Sequence, residues 1–404
     1  MDNDELVPPE ALSRLLSIAL SRPDLCVLRE MLLEVADQLD AYGCALWQTE
    51  PRLPGTRQRP IDEDPGEERI LAIAAGFRHH LHYPEHDLPA TIPSGRAMKE
   101  GVVAVPDLSR IELPERGQDF LRHTSIQSLC SVRVQLLDRR TGSLTVYRQR
   151  TGEWQAHEIR LLEYFALHIP ALYRTVRDRV SFHLVEQVSS IIQDAEEDPN
   201  ALPDSAKPSL QKVCAAIANG FHCLEAAIYL ESPLDRPGVF QNLATTCPQL
   251  LHRQEYQKDQ AGLTPWALRN GAIAVVDLRD LDQTHYEGLH WKDEVHLEAT
   301  VRTLLRLGPT ELTPPISFMA VPICMGKRMF GVVRCCAATQ GPFYFAQRET
   351  DLLEIIASRV AQFWSNLVGR HGLRRELSMW RKFVNAVSNF NKSVQNELTV
   401  NRID

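Results

Sequence analysis

The chain has 404 residues, more than a single hydrophobic core usually serves, so two domains are expected. Hydrophobic residues make up 44% and charged residues 24%, the proportions of an ordinary globular protein. The net charge of −8 provides no basic excess to bind phosphate, so we expect no nucleic-acid partner and no membrane association.

The N-terminus and the cysteines indicate a cytoplasmic protein. MDNDELVPPE carries acids and prolines where a signal peptide needs basic and apolar residues. No apolar run approaches the roughly 20 residues of a membrane-spanning helix. The nine cysteines follow no disulfide-framework spacing, so we expect them to be reduced thiols.

A helix and a strand are the first predicted elements. LREMLLEVADQLDAYGCALWQTE (28–50) has apolar residues at helical spacing, then a break near Gly43 and a strand. PRLPGTRQRPIDEDPGE (51–67) is polar and rich in proline and glycine, as expected for the loop to the next strand. The histidine-rich stretch RHHLHYPEH (78–86) is interpreted as a solvated surface in preference to a metal site.

An internal repeat with an offset of 170 residues runs through a short helix and the strand after it. Residues 97–108 read AMKEGVVAVPDL, and residues 267–278 read ALRNGAIAVVDL. Gly101 and Gly271 end the helix in each copy, because glycine enters the left-handed region at little cost. Asp107 and Asp277 follow the strand, and capping of a turn is the simplest interpretation of both acids.

Each copy ends with a hairpin and a helix. The strands 130–137 and 142–150 of the first copy correspond to 318–325 and 331–339 of the second, as apolar runs that flank a polar turn. Amphipathic helices at 157–169 and 348–364 close the copies. The adjacent Cys335 and Cys336 should face opposite sides of the sheet, and we interpret one of them as a core residue and not as a redox thiol.

A long helix and a linker separate the copies. Residues 171–193 continue the first closing helix, and Pro170 is expected to kink or restart it. The acidic, proline-broken segment DAEEDPNALPDSAKPS (194–209) is expected not to pack. One apolar stripe follows the helix: Leu172, Val176, Val180, Leu184 and Val188.

Both copies resemble the GAF domain, which has the same general plan as PAS domains. The resemblance rests on the block of small helix, glycine, strand and Asp-Leu, on the S-V-R-V or A-V-P-I strand, and on the glycine-led strand after the hairpin. It implies an α+β fold of two antiparallel sheets with flanking helices, joined by a long helix and followed by a coiled-coil-like C-terminal helix. The implied division is a first domain at 12–176, a linker helix and acidic linker at 177–209, a second domain at 210–366 and a signalling or dimerisation helix at 367–404.

The resemblance also implies where a ligand would bind, since GAF cavities lie between the sheet and the crossover loops. The second copy has a crossover insertion (282–300) that is crowded with histidines, and we expect it to have the better cavity. The candidate ligand-binding residues are Arg96 and Asp107 in the first copy and Trp266, Asp277, His290, Trp291 and Arg334 in the second.

The ligand itself is left open. Tetrapyrrole-binding GAF domains anchor a bilin through a crossover cysteine that is closely followed by histidine, and neither copy has such a cysteine, so a covalent bilin is not expected. The same absence argues against a methionine sulfoxide reductase of the GAF type. The Asn-Lys, Phe and Asp-Glu signature of cyclic-nucleotide binding is also absent. No catalytic residue and no metal site are assigned.

Residues 374–398 are expected to form a coiled coil in a parallel homodimer. The segment lacks glycine and proline, and its apolar residues recur at alternating spacings of three and four. Asn391 takes the one polar seam position, where paired asparagines fix the register of two parallel strands. Phe383 and Phe390 widen the apolar face, which favours the alternative of a helix that packs within its own chain. The seam consists of Leu377, Trp380, Val384, Val387, Asn391, Val394 and Leu398.

Three classes of function are compatible with these features. The leading interpretation is a sensory or regulatory module that binds a small molecule in a GAF cavity and transmits its state through dimeric helices to an output domain or partner. The first alternative is a ligand-free module for dimerisation or partner docking. The second is a redox enzyme that uses the GAF cavity.

Overall fold

A computed structural model describes residues 9–49, 69–78, 88–113, 115–136, 141–198, 203–231, 236–251, 253–275, 278, 292–306, 316–338 and 347–400 of the chain. Within them the chain forms two α+β domains, each built on a six-stranded sheet. No helix in these ranges has the length and apolar character that a bilayer crossing requires.

The first domain begins with helices α1 (Pro9–Ser21) and α2 (Cys26–Gln38). Short helices α3 (Pro93–Glu100) and α4 (Glu115–Thr124) lie in the crossover, and the long helix α5 (Ala156–Glu196) follows the sheet. The strands are β1 (Gly43–Thr49), β2 (Arg69–Phe77), β3 (Leu88–Pro89), β4 (Val102–Val105), β5 (Ser128–Gln135) and β6 (Thr141–Arg148).

The second domain begins with helix α6 (Lys207–Phe221). Helices α7 (Leu263–Asn270) and α8 (Lys292–Leu305) lie in its crossover, and α9 (Gln347–Val400) follows the sheet. The strands are β7 (Glu225–Glu231), β8 (Val239–Thr245), β9 (Glu255–Gln257), β10 (Ile273–Val275), β11 (Ile316–Met325) and β12 (Arg328–Ala338).

The two sheets have the same topology. The strand order is β3-β2-β1-β6-β5-β4 in the first domain and β9-β8-β7-β12-β11-β10 in the second, with antiparallel pairing throughout. Gly101 and Gly271 both stand between the short crossover helix and the edge strand, and each donates its N–H to the carbonyl four residues earlier. The predicted tandem of equivalent antiparallel domains is confirmed.

Each sheet is covered on both faces. On one face of the first sheet, Leu46 and Val146 pack in the core formed with α2 and α5. On the other face, which we call the crossover face, Trp47 and Tyr147 pack beneath the crossover. Side chains alternate between the two faces along a strand. Since both faces are covered, the central strands β1 and β7 are buried at all but their last residue.

Helix α5 belongs to both domains. The predicted stripe is buried over its whole length, with Val176 and Val180 in the first core and Leu184 and Val188 in the second. Pro170 lies inside the helix and does not end it, so the expected restart does not occur. Ile169 and Leu172 on either side of Pro170 are anchored in the same core, which accounts for the continuity.

The linker between the domains is shorter than the 16 residues of segment 194–209. Helix α5 reaches Glu196, and α6 begins at Lys207 after a short 3-10 turn. The expectation that this segment does not pack is wrong for its C-terminal end, because Ala206 is buried in the second core.

The closing helix of the second domain and the predicted C-terminal helix are one element, α9. Its first part is buried in the second core through Leu353, Val360 and Leu367. The helix then continues through Gly369 and Gly372 and leaves the domain. A single helix therefore connects the second core to the predicted coiled-coil segment.

Replacing Gly101 with alanine is expected to destabilise the first domain by about 1–3 kcal/mol. Its φ of +95° is unfavourable for a residue with a Cβ, as is the φ of +112° at Gly271, while no atom lies near enough to clash. Gly372→Ala is the control, and it should stabilise α9 by about 1 kcal/mol because alanine favours helix. Urea unfolding followed by circular dichroism measures both, and an unchanged midpoint for Gly101→Ala would contradict the prediction.

Candidate functional site

The crossover face of the second sheet is lined with aromatic residues. Tyr229 on β7, Phe240 on β8, Tyr256 on β9 and Phe318 on β11 are buried there, with Trp266 partly buried against them. The rings of Tyr229 and Tyr256 meet edge to face, with centroids 4.9 Å apart. This is the face on which the sequence predicts a ligand.

Arg334 lies on this face, where each of its three nitrogen atoms donates a hydrogen bond within the protein. It is 3% exposed, and its Nε and Nη2 donate to the two carboxylate oxygens of Glu225 at 3.0 and 2.7 Å. Its Nη1 donates to the Tyr256 hydroxyl and its Nη2 to the Leu250 carbonyl, both at 3.0 Å. The Arg334 side chain thus ties β12 to β7 and β9, and its role as a ligand contact stays a prediction.

The Arg334–Glu225 pair was not predicted as a unit, because Glu225 did not stand out in the sequence. Burial raises the pKa of Glu225, against the opposing effect of Arg334. Burial lowers the pKa of Arg334, whereas the neighbouring Glu225 raises it. The net result is a pKa of Arg334 well above its ordinary value. The two groups neutralise each other inside an apolar core, and such a pair is costly to break.

Hydroxyl groups occupy the equivalent face of the first sheet. Ser131 Oγ and Thr145 Oγ1 are 2.8 Å apart, and Thr145 Oγ1 donates to Ser94 Oγ at 3.0 Å. Trp47 Nε1 donates to the Tyr147 hydroxyl at 3.1 Å. All five residues are buried. The register aligns Thr145 with Arg334, so the two domains place different polar groups at one position.

Ser143 is a candidate that the sequence analysis missed. It lies on β6 two residues before Thr145, so it faces the same side of the sheet. Its Oγ is buried and, among the residues that the structure describes, has no hydrogen-bond partner. A buried hydroxyl without a partner costs about 1–3 kcal/mol, which marks the position as a place for a polar ligand atom or a water. The alternation of Ser143, Thr145 and Tyr147 in an otherwise apolar strand was the available signal.

The two residues predicted in the first copy, Arg96 and Asp107, both interact with side chains close to them in the sequence. Arg96 is exposed on α3, where its Nε lies 2.9 Å from Glu100 Oε1, and its role as a ligand contact stays a prediction. Asp107 Oδ1 accepts from the Ser109 N–H at 3.0 Å and from the Ser109 hydroxyl at 2.6 Å. These hydrogen bonds lower the pKa of Asp107, with a smaller contribution from Arg110. Asp107 therefore caps a turn, which was the simplest interpretation of its position.

Trp266, a further predicted ligand contact, lies on the crossover side of the second sheet. It stands on α7 at the position that Arg96 takes in the repeat, half-buried against the aromatic core. Asp277, His290 and Trp291 lie outside the described residues, as do the histidines within 79–86. The predicted cluster around the insertion therefore stays a prediction.

Cys335 and Cys336 face opposite sides of the sheet, as predicted, but both are core residues. Cys335 packs in the core that the sheet forms with α6 and α9, and Cys336 packs on the crossover face. Burial raises the pKa of both thiols well above the ordinary value. Neither has the low pKa of a reactive thiolate, which agrees with the interpretation against a redox role.

The described part of the predicted coiled-coil seam is open to solvent. Leu377, Trp380, Val384 and Val387 are between 42% and 64% exposed. In the single chain these four side chains do not pack on the second domain, contrary to the alternative of an intramolecular helix. The helix backbone continues to Val400, and the side chains of Asn391, Val394 and Leu398 lie outside the description.

Both copies of the repeat are similar to known proteins. The family model of the GAF domain matches residues 25–170 and 207–363. No protein of curated function matches the sequence. Among solved structures, the chain is similar to the GAF domain of an Acinetobacter phosphoenolpyruvate-protein phosphotransferase, with 14% identity, coverage of 46% of this chain and 93% of that one, and a TM-score of 0.31.

Two further structures are similar to this chain. A GAF domain of A. aeolicus in an inactive state has 13% identity and a TM-score of 0.32, with 47% of this chain and 98% of that one covered. A bacteriophytochrome from the photosynthetic bacterium R. palustris has 11% identity and a TM-score of 0.31, with 63% and 46% covered.

The two segments that match the family coincide with the two repeated sheets. Together they span well over half of the chain. GAF domains are typically sensory or ligand-binding regulatory modules. This chain belongs to the GAF-domain family, with two GAF domains in tandem.

Proposed function

We propose that this chain is a sensory or regulatory module. A small molecule that binds on a crossover face shifts the conformation of the long helices, and the helices transmit this change to an output domain or protein partner. The continuity of α9 carries the proposal. Leu353 and Leu367 on this helix are buried in the second core, whereas Leu377 and Val387 are exposed further along it. A helix advances about 1.5 Å per residue, so the continuous backbone of α9 links movement in the core to the exposed seam.

Contacts between α5 and α9 support a shared response of the two domains. Asn366 Nδ2 donates to Glu196 Oε1 at 2.9 Å, and Arg370 Nη1 donates to the Glu196 carbonyl at 3.2 Å. Near the start of α9, Glu349 forms an ion pair with Arg177 of α5. Since α5 also contributes to the first core, a ligand in either domain acts on the same pair of helices.

A homodimer is the second part of the proposal. The exposed side chains Leu377, Trp380, Val384 and Val387 recur at the three-and-four spacing of a coiled coil. An apolar stripe of this kind in water is typical of an association surface. The predicted seam continues through Asn391, which would favour a parallel pair. Because the seam is only about three heptads long, domain contacts must add to it.

A ligand is expected to raise the thermal unfolding temperature of the full chain, and Trp266→Ala should remove this shift. Nucleotides, tetrapyrroles and amino acids are the compounds to screen, because a ligand that binds only the folded state stabilises it. Ser143→Ala is the matched variant in the first domain. It should keep the shift, and it should slightly stabilise the free protein, since it removes a buried hydroxyl without a partner.

The variants decide between the two domains. A shift that persists in Trp266→Ala and disappears in Ser143→Ala places the ligand on the first sheet, against the predicted second cavity. A shift that persists in both variants argues against the two crossover faces. A chain that dimerises and responds to none of the compounds favours the ligand-free docking module.

A further inference from the structure

Three potential metal ligands meet where the two domains touch. Asp24 and Cys26 lie in the turn from α1 into α2, and His222 directly follows α6. Asp24 Oδ1 and His222 Nε2 are 2.6 Å apart. Cys26 Sγ lies 3.7 Å from His222 Nδ1 and 3.8 Å from Nε2. One ligand atom from each residue falls within 4.8 Å of the other two.

The local backbone holds these side chains in place. Asp24 Oδ1 also accepts the Cys26 N–H at 2.8 Å, which fixes the carboxylate beside the thiol at the start of α2. His222 has a φ of +49°, a left-handed conformation that is uncommon for a residue other than glycine. All three side chains are half-buried, so an ion can reach them while the surrounding helices restrict their motion.

The set of donor atoms matches zinc. Zinc takes thiolate sulfur, imidazole nitrogen and carboxylate oxygen, whereas calcium and magnesium prefer oxygen alone. In a tetrahedral site with bonds of about 2.0–2.3 Å, ligand atoms stand roughly 3.3–3.6 Å apart. The sulfur–nitrogen distances are already close to this range. The Asp24–His222 distance has to widen, which side-chain rotation provides.

The charges around the cluster also permit a cation. Arg22 Nε lies 3.3 Å from Asp24 Oδ2, but Arg22 is itself paired with Glu30 at 2.5 Å.

We propose that Asp24, Cys26 and His222 bind a divalent metal ion of the zinc class, with an exchangeable water at the fourth position. The ion takes two ligands from the first domain and one from the second, so it cross-links the domains beside α5. The proposal does not depend on a ligand at either crossover face.

Cobalt(II) added to the metal-free full chain tests the site directly. Thiolate ligation gives a sulfur-to-cobalt charge-transfer band in the near ultraviolet, which oxygen and nitrogen ligands do not produce. We expect this band in the parent, its loss in Cys26→Ser, and binding at least tenfold weaker in His222→Ala. Cys324→Ser removes another half-buried cysteine and His183→Ala an exposed histidine on α5, and both should keep the band.

Alkylation of the unmutated protein supplies a second measurement that does not depend on variants folding. Zinc should slow the reaction of Cys26 with iodoacetamide at least tenfold, as read from the mass of the peptide that contains it. The proposal is overturned if zinc leaves the alkylation rate unchanged. It is equally overturned if the parent shows no charge-transfer band or if the band survives in Cys26→Ser.

Discussion

Val387→Asp is expected to convert the proposed homodimer into monomers. Val387 is 42% exposed on α9 in the single chain and would be covered by a partner helix in the proposed dimer. The variant would bury a carboxylate from each chain without a counter-charge, at a cost of about 3–5 kcal/mol. The dissociation constant of the proposed dimer should rise by roughly two to four orders of magnitude. Sedimentation velocity of the full chain over a concentration series measures this.

Ala386→Asp is the matched control. It introduces the same charge one residue earlier on the same helix, at an exposed position outside the seam, and should leave the dimer intact. If the parent sediments as a monomer, or if Val387→Asp dimerises as well as the parent, the seam does not hold two copies together. The exposed stripe would then be a surface for a different partner.

The features predicted correctly from the sequence depend on local chemistry. Gly101 and Gly271 were recognised because a positive φ restricts the choice of residue. The stripe through Val180 and Val188 was recognised because helical periodicity is a local property. The continuity of α9 was not predicted: the closing helix at 348–364 and the segment 374–398 were treated as separate, and Gly369 and Gly372 lie between them. The apolar residues before these glycines pack in the second core, and this packing stabilises the first part of the helix, from which it continues.

The contacts in the candidate sites depend on which distant segments become neighbours. Glu225 and Arg334 meet because β7 pairs with β12, although 109 residues separate them. Asp24 and His222 meet across 198 residues, from different domains. No spacing rule reaches that far. The available signal for Arg334 was a charge within an apolar strand, which indicates a buried partner as readily as a ligand.

Arg334→Met is expected to lower the free energy of unfolding of the second domain by about 3–5 kcal/mol. The change leaves the Glu225 carboxylate, which is 0% exposed, without its counter-charge. It also removes the donors to the Tyr256 hydroxyl and the Leu250 carbonyl. Thr145→Val at the equivalent position of the first domain loses only neutral hydrogen bonds, and should cost about 1 kcal/mol. Urea unfolding followed by circular dichroism compares the two variants.

Combining Arg334→Met with Glu225→Leu should restore most of the lost stability. Both charges then leave the core together, and replacing a buried ion pair by apolar side chains of similar volume is often neutral or stabilising. The double variant is therefore expected to be clearly more stable than Arg334→Met alone. If Arg334→Met unfolds at the same urea concentration as the parent, the buried Glu225 carboxylate does not need Arg334 as its counter-charge. The guanidinium would then be free to contact a ligand on the crossover face, as its position in the sequence first suggested.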